Sequence, residues 1–111
     1  MNINKLVIDT LKPLGIDVTY IHYSGNKPTY ITFFEISAID DDYSDNLNET
    51  EEHSLQIDLF TKDDPTELKN KIKKTLKGTF YNVTTADMYE ADTKYYHIAF
   101  RCSFFEKIEE E

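Results

Sequence analysis

His53 to Gly78, HSLQIDLFTKDDPTELKNKIKKTLKG, reads as a strand that runs directly into a helix. From Ser54 to Thr61 the side chains alternate. Leu55, Ile57 and Leu59 fall on one side of an extended chain and Ser54, Gln56 and Asp58 on the other, with Phe60 breaking the pattern. Such a strand has one face for a core. Asp64 then caps a helix with its side-chain oxygen. Pro65 suits the first helical position, where a missing N–H costs nothing, and Glu67 closes a capping box. Leu68, Ile72 and Leu76 follow at helical spacing, and Gly78 supplies a residue that tolerates the left-handed conformation past the end. An amphipathic strand followed by an amphipathic helix buries both apolar faces most simply by packing them together.

Working outward, Asn2 to Lys12 predicts a first helix with Asn2 as its cap; Ile3, Leu6, Val7 and Leu11 lie on one side and Ile8 widens the stripe. Pro13 and Gly15 end it. Asp17 to Tyr23 has the β-branched and aromatic content of a short strand, with Val18, Tyr20 and His22 on one side. Tyr30 to Ile39 is a second strand in which Tyr30, Thr32, Phe34, Ile36 and Ala38 alternate with Ile31, Phe33, Glu35, Ser37 and Ile39. Neither set is polar. This strand is therefore either central or in contact with another chain. Thr79 to Tyr89 reads as a less regular strand and Glu90 to Lys94 as a turn. Tyr95 to Phe105 is a strongly patterned strand whose apolar face is Tyr96, Ile98, Phe100, Cys102 and Phe104.

The element order predicts an α+β fold, α-β-β-β-α-β-β. It is a mainly antiparallel sheet of about five strands with two helices packed on it. At 111 residues the chain has the size of a single domain, 1–111. Asp40 to Glu52 holds seven carboxylates and one aliphatic residue, Leu47, and is expected as a flexible acidic loop; Glu106 to Glu111 is expected as a charged, solvated tail. A calcium reading of the loop fails on spacing. Asp40, Asp41, Asp42 and Asp45 lack the alternating ligands, turn glycine and terminal bidentate Glu of an EF-hand.

Composition narrows the function classes. With 12 basic against 21 acidic residues the formal charge is −9, which argues against affinity for nucleic acid, because that affinity comes from Lys and Arg displacing phosphate counterions. One cysteine cannot form an internal disulfide, and its place on an apolar face marks Cys102 as a small buried hydrophobe rather than a nucleophile. No apolar run has a membrane helix's length, and no signal-peptide pattern opens the chain. His22, His53 and His97 have no zinc-motif spacing and are expected as half-exposed sheet residues; there is no phosphate loop, nucleophile elbow or HExxH. Neither catalytic residues, a cofactor nor a metal is expected, and an enzyme is not. Lys69, Lys71, Lys73, Lys74 and Lys77 concentrate positive charge on the second helix, either as a solvated face or as a complement to the acidic loop of a neighbouring copy.

The opening helix, KPTYITFFEI from Lys27, the acidic stretch, HSLQIDLFTK from His53 and DMYEADTKYYHIAFRCSF from Asp87 together resemble a family. It comprises the small tail-completion or tail-terminator (head-tail joining) proteins of long-tailed bacteriophages and prophages, including relatives of the lambda tail terminator. The resemblance covers most of the chain and rests on order and spacing. It implies a structural subunit that assembles as a ring, usually a hexamer, at the head-proximal end of the tail tube, where it stops tube growth and meets the head-tail connector. The implied partners are other copies, the tail tube protein and the connector. The implied location is the host bacterial cytoplasm during assembly and then the tail or neck of the virion.

DNA would pass through such a ring without specific binding, and no membrane is involved. Candidate interface residues are Tyr30, Thr32, Phe34 and Ile36, with Lys69 and Lys73; Asp40, Asp41, Asp42, Asp45, Glu49, Glu51 and Glu52 are candidates for lining the opening or facing a partner. A head-closure or neck adaptor protein is the alternative within this class, and an acidic DNA mimic that inhibits a nucleic-acid enzyme is the alternative outside it.

Overall fold

The computed structural model describes residues 1–41 and 49–108. Helix α1 (Ile3–Leu11) is followed by a single 3-10 turn at Lys12–Leu14 and by strands β1 (Asp17–Tyr20), β2 (Thr29–Asp41) and β3 (Glu49–Thr61). Helix α2 (Thr66–Lys77) and strands β4 (Tyr81–Glu90) and β5 (Tyr95–Ile108) complete the chain. The five strands form one mixed sheet in the order β1-β2-β3-β5-β4, in which only the β1–β2 pairing is parallel. The fold is α+β with the predicted order of elements.

Local chemistry explains the helix boundaries. The Asn2 side chain accepts the Lys5 N–H at 3.1 Å, capping α1 as expected, and Gly15 ends the following turn at φ 72°, where a β-carbon would be strained. α2 begins one residue later than expected. Pro65 stands at the cap position, while Asp64 Oδ1 still accepts the Thr66 N–H at 3.0 Å and its hydroxyl at 2.7 Å. Gly78 corrects the sequence reading more sharply: it is right-handed at φ −71°, and Phe80 N–H closes the helix end onto the Leu76 carbonyl.

Both helices pack on the same face of the sheet. Ile3, Val7 and Leu11 from α1 and Ile72 and Leu76 from α2 meet Ile31 and Phe33 of β2, Leu55, Ile57 and Leu59 of β3, and Ile98, Phe100 and Cys102 of β5. The β3 alternation is thus borne out side chain by side chain. Ile8, expected to widen the α1 stripe, is instead exposed, and His22 lies beyond the end of β1 in an exposed position.

Three extended elements differ from expectation. β2 and β3 run well into the acidic stretch: Ile39, Asp40 and Asp41 pair in register with Glu52, Glu51 and Thr50, so Asp40, Asp41, Glu49, Glu51 and Glu52 belong to strands rather than to a loop. Backbone pairing with a neighbouring strand overrides the polar composition there. Asp42 and Asp45 lie outside the described residues. Similarly, Glu106, Lys107 and Ile108 continue β5 instead of starting a tail. Finally, a register shift between Glu35 and Ser37 leaves Ile36 as an unpaired bulge, and beyond it Ala38 pairs with His53 on the helix-bearing side. The even-numbered side of β2 is therefore a single surface only from Tyr30 to Phe34.

Burial sets the expected response to mutation. Ile57→Ala should lower the urea-unfolding free energy by about 2 to 5 kcal/mol, because the fully buried side chain leaves a cavity between sheet and helices, whereas Ile8→Ala should change it by less than about 0.5 kcal/mol.

Candidate functional site

The sheet face without helices is covered by its own side chains. Tyr23 folds back from the β1–β2 connection, its hydroxyl donating to Asp17 Oδ2 at 3.0 Å and accepting the Lys27 N–H at 3.2 Å. Its ring stacks on Tyr30 at 4.1 Å; Tyr30 stacks on Phe60 at 5.1 Å and Phe60 on His97 at 4.3 Å. Tyr95 meets Tyr30 and Phe60 edge-on, with Lys62 Nζ 5.0 Å from the Tyr95 ring centre. This aromatic ladder crosses β2, β3 and β5. Beyond it lies a polar row. His97 Nε2 is 2.8 Å from Asp58 Oδ1, the Gln56 amide donates to the same oxygen at 2.9 Å, and Arg101 Nε donates to Gln56 Oε1 at 3.2 Å. Asp58 is only 6% exposed, so its carboxylate oxygen takes from these donors the hydrogen bonds that water would otherwise supply.

Of the residues predicted as an interface, Tyr30, Thr32 and Phe34 share this face, Thr32 being buried and the other two half-buried. Ile36 is separated from them by the bulge and is 44% exposed. Lys69 and Lys73 are not on this face: both are half-buried on α2, and Lys69 Nζ is bound within the chain by the two carboxylate oxygens of Asp87, at 2.9 and 3.2 Å. That ion pair, on an exposed Asp87, gives Lys69 a partner within the chain.

A second polar centre sits on the helix-bearing side, where sequence reasoning placed only an ordinary histidine. His53 is 6% exposed; its Nδ1 bonds to Glu35, and its Nε2 lies 2.9 Å from Glu106 and 3.1 Å from Glu51. Glu106 also approaches the Met1 amino group at 3.3 Å. Burial opposes charge on the imidazole, but the hydrogen bonds to Glu35 and Glu106 and the fields of Glu35 and Glu51 outweigh it, raising the His53 pKa above its ordinary 6.5. The bond to His53 in turn holds Glu106 below its ordinary 4.5 against the effect of burial, with the Met1 amino group assisting. Glu51, His53 and Glu106 bring one ligand-type atom each within 4.8 Å of the others. Both ring nitrogens face carboxylates, an arrangement that favours the protonated imidazolium. No local pattern predicted it, because Glu35 and Glu106 stand 18 and 53 residues from His53.

Cys102 is buried on the core face as expected, and burial pushes its thiol up to about 12, away from the range of a nucleophile. Among the described residues no helix is long and apolar enough to cross a membrane.

Two outcomes follow from these shifts. Stability contributed by His53 is fully present below pH 6.5 and lost as pH rises through its raised folded value; that from Glu106 is present above pH 4.5 and lost as pH falls through its lowered one. Thermal unfolding between pH 5 and 9 should therefore show a loss of stability on the alkaline side that His53→Gln abolishes. Ellman's reagent at pH 8 should leave Cys102 unmodified in the folded protein and label it fully in denaturant.

No protein-family model matches the chain, and no curated protein matches it significantly, which leaves the functional reading to the geometry of these surfaces.

Proposed function

We propose that the chain is a structural subunit that self-associates into a ring, of the kind that terminates the tail tube of a long-tailed bacteriophage or prophage and joins tail to head. The observation that carries this reading is the one-sided sheet. Its helix-free face presents an aromatic ladder that is half-buried by its own packing, and a neighbouring copy would finish the burial. A ring closes through heterologous contacts, in which this face of one copy meets a different surface of the next. Copies of the chain are then the first partner, and the tail tube protein and head-tail connector are the others. Assembly would occur in the bacterial host, with the product in the virion tail or neck. A head-closure or adaptor role uses the same surface at a neighbouring station.

The charge of −9 fits an opening that passes DNA without holding it, since phosphates find few cations to displace their counterions. One observation favours the acidic DNA mimic as a second reading. Glu51 and Glu52 lie on paired strands, as the fixed spacing of a mimic requires, and the backbone at Asp40, Asp41 and Glu49 is strand-paired as well. Against it, Glu51 turns toward His53 and Glu52 accepts the Ser103 hydroxyl at 3.1 Å, so these two carboxylates serve the chain itself.

Size-exclusion chromatography with light scattering, followed by negative-stain microscopy, should show rings with an open centre, alone or after addition of the tail tube protein. Phe34→Ser should weaken them without unfolding the monomer. A monomer under all these conditions, or tight and salt-sensitive capture of DNA, would overturn the reading; inhibition of a nuclease by a ring-free protein would favour the mimic.

A further inference from the structure

Arg101 is the only arginine in the sequence, and the structure gives it an unusually prepared setting. Its Nε is taken by Gln56 Oε1, the Gln56 amide is held by Asp58 Oδ1, and the same oxygen is met by His97 Nε2. Fixing Nε orients the guanidinium plane while leaving its terminal nitrogens free: among the described residues no hydrogen bond or ion pair engages them. The side chain borders a cleft of about 370 Å³ on the helix-free face, lined also by Gln56, Thr84, Met88, His97 and Ala99. The cleft thus combines one planar cation, a hydroxyl and an apolar wall.

We propose that this cleft is a carboxylate-binding subsite, in which the Arg101 guanidinium receives the two oxygens of a carboxylate borne on an aliphatic stem that packs against Met88 and Ala99. The chemistry selects this class. A guanidinium edge matches the spacing of carboxylate oxygens, and a single positive charge in a chain of −9 neutralises one charge but not a phosphate dianion or a polyanion. The Gln56–Asp58–His97 relay acts through Arg101: it holds the guanidinium in one orientation, which lowers the ordering cost of binding. The carboxylate has two sources, an Asp or Glu side chain of a second copy or a free aliphatic acid. The first rests on the self-association reading, and the second does not.

The test uses the full chain, with sodium butyrate as the carboxylate probe and butyramide as its neutral isostere. In NMR titrations, butyrate should shift the Arg101 and His97 side-chain signals saturably and butyramide should not, with Arg101→Gln weakening the response about tenfold or more and Arg101→Lys only partly restoring it. Light scattering on the same proteins separates the sources. Loss of rings in the folded Arg101→Gln variant assigns the subsite to a second copy; rings that persist while the butyrate response is lost assign it to a free acid. Equal responses to butyrate and butyramide, or a response unchanged in Arg101→Gln, would overturn the subsite whether or not rings form. A butyrate response that depends on Arg101 in a protein that never forms rings would support the subsite and count against the ring.

Discussion

The structure depends on the burial of Leu55, Ile57 and Leu59 at the centre of a sheet roofed on one side only. β3 lies between β2 and β5, so its apolar face is flanked by theirs, and the two helices close over that common surface. Helices of 9 and 12 residues span about 14 and 18 Å, whereas strands of 13 and 14 residues reach about 40 Å or more. The roof is therefore shorter than the sheet. One face and one end are left to find other means of satisfying their side chains.

The two polar centres answer these two deficits. On the open face, aromatic rings stack on one another across three strands and shelter the polar row of Asp58, Gln56, His97 and Arg101 beside them. At the end beyond Leu55 and Cys102, apolar packing gives way to His53 and its carboxylates. Period-two alternation allows both centres to share the β3–β5 pair. Phe60 and Asp58 face one way with His97, and His53 faces the other, opposite Phe104. His53 and His97 consequently never form one site, although each is tied to an acid.

The sequence was most informative where local pattern and tertiary burial agree. The strand alternation of β3, the cap at Asn2, the stripe of Ile72 and Leu76, and the apolar face of β5 were all legible, because each depends on residues a few positions apart. The extension of β2, β3 and β5 through acidic residues was not, because composition reports a segment's preference for water while strand pairing is decided by the chain beside it. The bulge at Ile36 was equally invisible. Nothing in TYITFFEISAIDD marks the point at which alternation skips a residue, and only the fixed register of β3 reveals it. As a result the side read as Tyr30, Thr32, Phe34, Ile36 and Ala38 holds only for its first three residues.

That bulge also bears on why a histidine is buried among acids. Skipping Ile36 places Ala38 opposite His53 and Asp40 opposite Glu51, and Glu51 is itself opposite Glu106. Glu51 and Glu106 thus face each other across β3 and β5, an arrangement in which like charges repel. Glu35, on β2 just before the bulge, reaches His53 Nδ1, while Nε2 faces Glu51 and Glu106. An imidazolium at this position neutralises repulsion that the register itself creates, and it does so with one residue that contacts carboxylates from β2, β3 and β5. Removing its proton would leave Glu35, Glu51 and Glu106 together but uncompensated, so the strand register and the protonation of His53 are two parts of the same constraint.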